Sequence, residues 1–219
     1  MIARHSCAYR LAEEYVGAKV VLDIGCGEGY GIYYLANFAK EAIGMDYDNS
    51  IINYAKDKYK KENLAFYSMV VKDLDSLKRK FDIICAFQFI EHIHDTKKFL
   101  EDIRNLLNPQ GTFICSTPNR LDASPHSHNP RSKFHVKEYL FHEFKELLAG
   151  YFAKIDMFGL KRGRRLNFYR RLKKIGLFNF LPQNINPVKR FYAHIDCADF
   201  IFVKKNIEKG LDFIAICKK

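Results

Sequence analysis

Apolar and polar positions along this chain follow two periods. Predominantly apolar runs at 20–24, 41–45, 64–71, 81–87 and 112–116 have the length of buried strands. The stretches between them repeat apolar residues at helical spacing, as with Ile32, Leu35, Ala36 and Ala39 inside 30–40. Ahead of the first run, residues 1–16 place Ala8, Leu11, Ala12 and Tyr15 on one helical face. A polar loop follows the fifth run at 119–133, with Pro125, Pro130, His126 and His128; loops of that length are usually functional or disordered. A helix is expected at 136–150 through Tyr139, Leu140, Phe144, Leu147 and Leu148, closed by Gly150. A strand at 152–158 and two closing strands near 199–204 and 211–217 complete the pattern. Alternation of strand and helix at these intervals predicts an α/β fold on a mostly parallel sheet, with helices on both faces.

At the end of the first strand the pattern becomes chemistry. Asp23 is followed by glycine at every second position, Gly25, Gly27 and Gly29, and a helix opens at Tyr30. Glycine lets a backbone turn sharply and approach a ligand with no Cβ in the way. The amides at the helix start then face that ligand. This is the layout of a nucleotide-type cofactor site at the carboxyl end of a first strand. The dinucleotide fingerprint spaces its glycines G-x-G-x-x-G and faces a pyrophosphate. Here the spacing is G-x-G-x-G, and Asp23 would repel a pyrophosphate while suiting a cofactor with an ammonium and a sulfonium. Asp46, ending the second strand, can accept hydrogen bonds from both ribose hydroxyls, a role common to either cofactor.

The stretch 19–31, Lys-Val-Val-Leu-Asp-Ile-Gly-Cys-Gly-Glu-Gly-Tyr-Gly, resembles motif I of the class I S-adenosylmethionine (SAM) methyltransferases, and the resemblance extends over about 12–152. It implies a Rossmann-like fold with a seven-stranded, mostly parallel sheet, and SAM as the cofactor. The implied cofactor-binding residues are Asp23, Gly25, Cys26, Gly27, Gly29, Asp46, Tyr47, Asp73, Leu74, Phe87 and Gln88, with Asp73 at the adenine amino group.

Methyl transfer from a sulfonium is an in-line displacement, so alignment dominates. A hydroxyl acceptor also benefits from a base or a metal ion. Glu91 and His92 stand just past the fourth strand, where the methyl group would lie, and 134–139 can return His135 to the same rim. Glu91, His92 and His135 are therefore the expected catalytic residues, with either histidine as general base. Residues 87–92, Ser116-Thr117-Pro118-Asn119-Arg120 and Phe134-His135-x-x-Glu138 look like methyltransferases of glycan and cell-surface polymer synthesis. They are also similar to the ubiquinone-pathway O-methyltransferases. Those enzymes, and the methyltransferases of small-RNA 3′ ends, hold a divalent metal with Glu-x-x-Glu-His. Gln88 replaces the first carboxylate here, which weakens a site for a hard cation. No metal is expected, although Glu91, His92 and His135 could still hold one. Three other readings stay open: a metal-assisted RNA ribose 2′-O-methyltransferase, a non-catalytic SAM-binding module, and His92 merely bracing the next helix. The glycine spacing and Asp23 disfavour a nicotinamide oxidoreductase.

Composition narrows the class further. At 219 residues, 48% hydrophobic and 15% aromatic, the chain has material for one well-buried domain spanning 1–219. Within it, 1–16 is expected to act as a lid helix, 117–135 as an acceptor loop and 161–198 as a basic insertion. No signal-peptide pattern or membrane-spanning run is visible. The six cysteines contain no C-x-x-C pair, which suits a reduced, cytoplasmic protein without zinc or disulfides. Charge is unevenly spread: 161–205 holds twelve Lys and Arg against two Asp, leaving 24 basic and 23 acidic residues elsewhere. Leu166, Phe168, Tyr169, Leu172 and Ile175 interleave with these cations in a basic amphipathic helix broken by Gly176 and Pro182. Such a segment suits three roles: a surface helix packed on the sheet, an anionic membrane or lipid-linked acceptor, or nucleic acid. The expected acceptor is a small molecule, a sugar, a glycan or a lipid-linked intermediate, with peripheral contact at a membrane.

Overall fold

The computed structural model describes every residue except Met1, His126, His128 and Gln183, and every remaining side chain but that of Ile2. A helix α1 (Ile2–Val16) precedes strand β1 (Val20–Ile24). Then come α2 (Tyr30–Leu35), β2 (Glu41–Asp46), α3 (Asn49–Lys58) and β3 (Leu64–Ser68). Strand β4 (Phe81–Phe87), α4 (Thr96–Leu106) and β5 (Leu107–Pro118) follow, then the short α5 (Arg120–Ala123) and α6 (Phe141–Ala149). The chain ends with β6 (Lys154–Arg162), α7 (Arg164–Ile175), α8 (Pro187–Ala193), β7 (Phe200–Val203) and β8 (Asp212–Lys218).

The strands form one sheet in the order β3-β2-β1-β4-β5-β8-β6-β7. β1 to β5 are mutually parallel, while β8 runs antiparallel between β5 and β6. The sheet is Rossmann-like and mostly parallel as expected, but it has eight strands, not seven. The additional one is β7, which returns antiparallel along the outer edge of β6, from Arg162↔Phe200 to Gly159↔Val203.

Alternation along each strand sends side chains to opposite faces. Leu22, Ile24, Ile84, Phe113 and Phe213 join α4 and α6 in one core layer through Phe99, Ile103, Phe144 and Leu148. Val21, Ile83, Ile114 and Ile216 join the other layer with Leu11, Ala12, Ile32 and Ile52 from α1, α2 and α3. Each large apolar side chain so buried contributes about 1.5–3 kcal/mol.

Two element boundaries differ from the sequence pattern for local reasons. The third run ends at Ser68 and continues as a 3-10 turn over Val71–Ser76. The helix expected from 136 starts at Phe141, because Tyr139 is extended in a bridge to Asn119 and its carbonyl accepts from the Arg120 amide at 3.0 Å, while the Val136 and Lys137 amides donate to the Glu91 carbonyl at 2.7 and 3.1 Å. Glu143 then closes the new helix start by accepting from the Leu140 amide at 2.7 Å.

Candidate active site

Strand order reverses between β1 and β4, and ligands of open α/β sheets bind in the crevice beyond the carboxyl ends of strands at such a point. The turn Gly25–Gly29 sits at this point. Gly25, Gly27 and Gly29 all take positive φ, at 74°, 53° and 81°. A Cβ on Gly25 would come 2.2 Å from the Phe89 ring, and one on Gly29 would come 2.6 Å from Phe66. At Gly27 a Cβ would meet nothing within 4 Å. Two glycines are thus needed for packing, while the third faces open space.

Asp23 lies at the base of this turn with 0% exposure. Its Oδ2 accepts a 2.8 Å hydrogen bond from the Tyr9 phenol of α1, and its Oδ1 is buried with no partner. Burial raises its pKa to about 7, the nearby Asp46 adds to the rise, and the Tyr9 bond opposes it. A buried, half-satisfied carboxyl is costly unless something donates to it. A ligand ammonium beside Gly27 meets that need. Asp46 closes the other side: the Gly27 amide donates to its Oδ2 at 3.0 Å and the Asp48 amide to its Oδ1 at 3.1 Å. The residues present therefore fit SAM: Asp23 for its ammonium, Gly27 for close backbone approach and Asp46 for the ribose.

The remaining expected cofactor residues are spread around this centre. Cys26 is buried in the turn and Tyr47 is exposed beside Asp46. Asp73 is exposed on the 3-10 turn, whereas Leu74 is buried in the core with Leu22 and Ile24. Phe87, at the end of β4, packs edge-on to Tyr9 at 4.7 Å. Gln88 has φ 52°, and its amide donates to the Ser116 carbonyl at 3.0 Å. Non-glycine residues held in this region are strained and concentrate at functional sites.

One residue on, Phe89 rests against Gly25, so the loop leaving β4 touches the glycine turn. That loop carries Glu91 and His92, and the structure brings His135 to them: one ligand atom from each lies within 4.8 Å of the others. The His92 and His135 rings meet edge to face at 4.9 Å. His92 Nδ1 is 2.8 Å from the Phe134 carbonyl, an acceptor only, so Nδ1 carries the proton and Nε2 presents a lone pair. Burial and His135 lower the His92 pKa. His135 Nδ1 is 2.8 Å from Oε1 of Glu138, which is buried. Glu91 is 1% exposed and accepts from the Thr117 hydroxyl at 3.1 Å, and burial lifts its pKa to about 8.

Three contacts at the site carry no local mark in the sequence. Tyr9 caps Asp23, Thr117 holds Glu91, and Arg4 of α1 clamps Asp212 with two 2.5 Å bonds beside Gln88. The pairing of Glu138 with His135 does carry one, since the two stand three residues apart in the stretch 134–138. His126 and His128, in the stretch expected to act as an acceptor loop, lie outside the described residues.

A glycine turn with an orphaned carboxyl, set at the switch point of this sheet, is the arrangement of the Rossmann-like methyltransferase fold. The chain belongs to the methyltransferase-domain family, whose model matches residues 16–156. A Mycolicibacterium smegmatis protein named "Probable S-adenosylmethionine-dependent methyltransferase" is 33% identical over 165 residues, 74% of this chain and 63% of that protein. The chain thus spans less than two thirds of that relative's length. A ubiquinone biosynthesis O-methyltransferase of Bradyrhizobium diazoefficiens is 36% identical over 107 residues, 48% of this chain and 42% of that one. A Thermotoga maritima structure described as a SAM-dependent methyltransferase shares the fold at TM-score 0.67 and 12% identity, over 100% of this chain and 90% of that one.

Proposed function

We propose that the protein is a SAM-dependent O-methyltransferase acting on a hydroxyl of a sugar, glycan or lipid-linked acceptor. The observation that carries the cofactor is the partnerless Oδ1 of Asp23 at the base of a glycine turn on which Gly27 has open space. When bound, SAM supplies an electrophilic methyl group on a positively charged sulfur. The chain's residues supply orientation and a proton acceptor. Asp23 would hold the cofactor's ammonium and Asp46 its ribose, with α1 as a lid anchored through Tyr9.

His135 would take the acceptor hydroxyl's proton at Nε2. The Glu138 carboxyl at its Nδ1 fixes the ring and leaves Nε2 for that proton, and His92 presents a second Nε2 4.9 Å away, ring centre to ring centre. A hydroxyl acceptor also fits the likeness to a named O-methyltransferase. Calorimetric titration with SAM tests the cofactor, and labelled SAM offered with nucleotide sugars, polyprenyl-linked glycans, quinone precursors and RNA tests the acceptor. No heat at millimolar SAM would end this reading.

A second reading rests on the same cluster. Glu91, His92 and His135 could hold a divalent cation, and two imidazoles with one carboxylate suit a borderline metal better than magnesium. Loss of turnover with a chelator, restored by added metal, would select it, including on RNA ribose.

A further inference from the structure

The chain's surplus charge and much of its exposed apolar surface fall in one segment. Residues 161–205 hold twelve Lys and Arg against two Asp. Within it, α7 contains no acid and buries only Leu166. Phe168 and Ile175 are 57% and 68% exposed, and the exposed run continues beyond the helix through Leu177, Phe180 and Ile185. Phe168, Arg171 and Ile175 share one helical face by their spacing. Arg164, Arg170, Lys173 and Lys174 are exposed around them.

The opposite side of α7 is anchored. Tyr169 stacks on Phe191 of α8 at 4.0 Å, and Arg165 lies over the same ring at 4.9 Å. The outer apolar residues stay exposed, although Phe168 meets the Tyr169 ring edge to face at 5.5 Å. Clustered exposure of this kind marks an interaction surface. A protein partner would have no need of so many cations. Nucleic acid would take the cations and aromatics but leave Ile175, Leu177 and Ile185 in water. An anionic bilayer takes both kinds of residue: hydrocarbon receives the apolar tips and lipid phosphates receive the cations. The segment also lies outside the matched methyltransferase domain, which ends at residue 156.

We propose that α7 and the residues after it dock the protein on an anionic lipid surface. The test is sedimentation of the full chain with phosphatidylcholine vesicles, with and without phosphatidylglycerol. Binding is expected only with phosphatidylglycerol present and should weaken as salt rises. Arg171→Gln with Lys174→Gln should weaken it about 25-fold, each cation contributing about fivefold. Ile175→Ser with Phe180→Ser should weaken it about tenfold or more. Unchanged SAM binding by both variants shows that they fold and separates this test from that of the proposed reaction. Failure of the wild type to sediment with anionic vesicles at low salt overturns the proposal. So does an apolar variant that binds like wild type. Single-stranded RNA that binds more tightly than the vesicles would reassign the surface to nucleic acid.

Discussion

The phenol of Tyr9 donates to Oδ2 of Asp23 at 2.8 Å, joining the N-terminal helix to the acid of the glycine turn across fourteen residues of sequence. Both groups are buried, and the Tyr9 ring also fills the space where Gly31 has no Cβ, its Cζ 2.0 Å from where that atom would stand. The helix is further held by Arg4 on Asp212. The seating of α1 and the state of the Asp23 carboxyl are thereby linked.

Tyr9→Phe keeps the packing but leaves Asp23 with two unsatisfied oxygens. Stability should fall by about 1–3 kcal/mol in urea denaturation. SAM should also bind more weakly at neutral pH, since the ionised carboxyl has lost its donor; calorimetry checks this.

Asp23 makes stability depend on pH with a defined sign. Its pKa is about 7 in the folded chain and about 4 when unfolded. Between those values the folded state binds more protons, so this contribution is complete below about pH 4 and is lost as pH rises through 7. Glu91, at about 8, extends the same trend. Denaturation midpoints should fall from pH 4 to 8 and fall less in Asp23→Asn. SAM binding at pH 6.5 should release a proton, seen as a buffer-dependent heat, and Asp23→Asn should abolish that release.

The glycines should separate by role. Gly29→Ala must displace Phe66 or Ala55 and should lose the more stability. Gly27→Ala has room and φ 53°, so it should cost about 1–2 kcal/mol in stability. Its methyl group enters the crevice, so SAM affinity should drop by more than stability does. Paired thermal denaturation and calorimetry distinguish the two.

His135→Ala should lower kcat by roughly 10²–10⁴ with SAM affinity unchanged, as for loss of a general base. Glu138→Gln should give a smaller loss, because it loosens the ring without removing it. A chelator should have no effect on the wild type if the histidine acts as a base.

Asn119 is a structural counterpart. Buried at the end of β5, it donates to the Glu208 and Gly210 carbonyls at 2.9 and 2.7 Å and accepts from the Leu121 amide at 3.0 Å. Asn119→Ala should cost about 3 kcal/mol in urea denaturation by stranding those groups.

The glycine turn, Asp23, Asp46 and the five parallel strands were legible in the chain because their causes are local. A positive φ asks for glycine, and burial on both faces asks for a continuous apolar run. Glu91 and His92 were legible for the same reason, as neighbours at the end of a strand. What tertiary structure alone decided lies between distant residues. The insertion of β8 between β5 and β6, and the pairing of β7 on the outer edge of β6, follow from choices among segments of similar apolar character. Tyr9 on Asp23, Thr117 on Glu91 and Arg4 on Asp212 are single contacts across long stretches of chain, and the side chains alone carry no record of their partners. The late start of α6 has that origin too: Tyr139 pairs with Asn119 of the β5 end, and the Glu91 carbonyl takes the amides of Val136 and Lys137, next to the place where His135 meets His92.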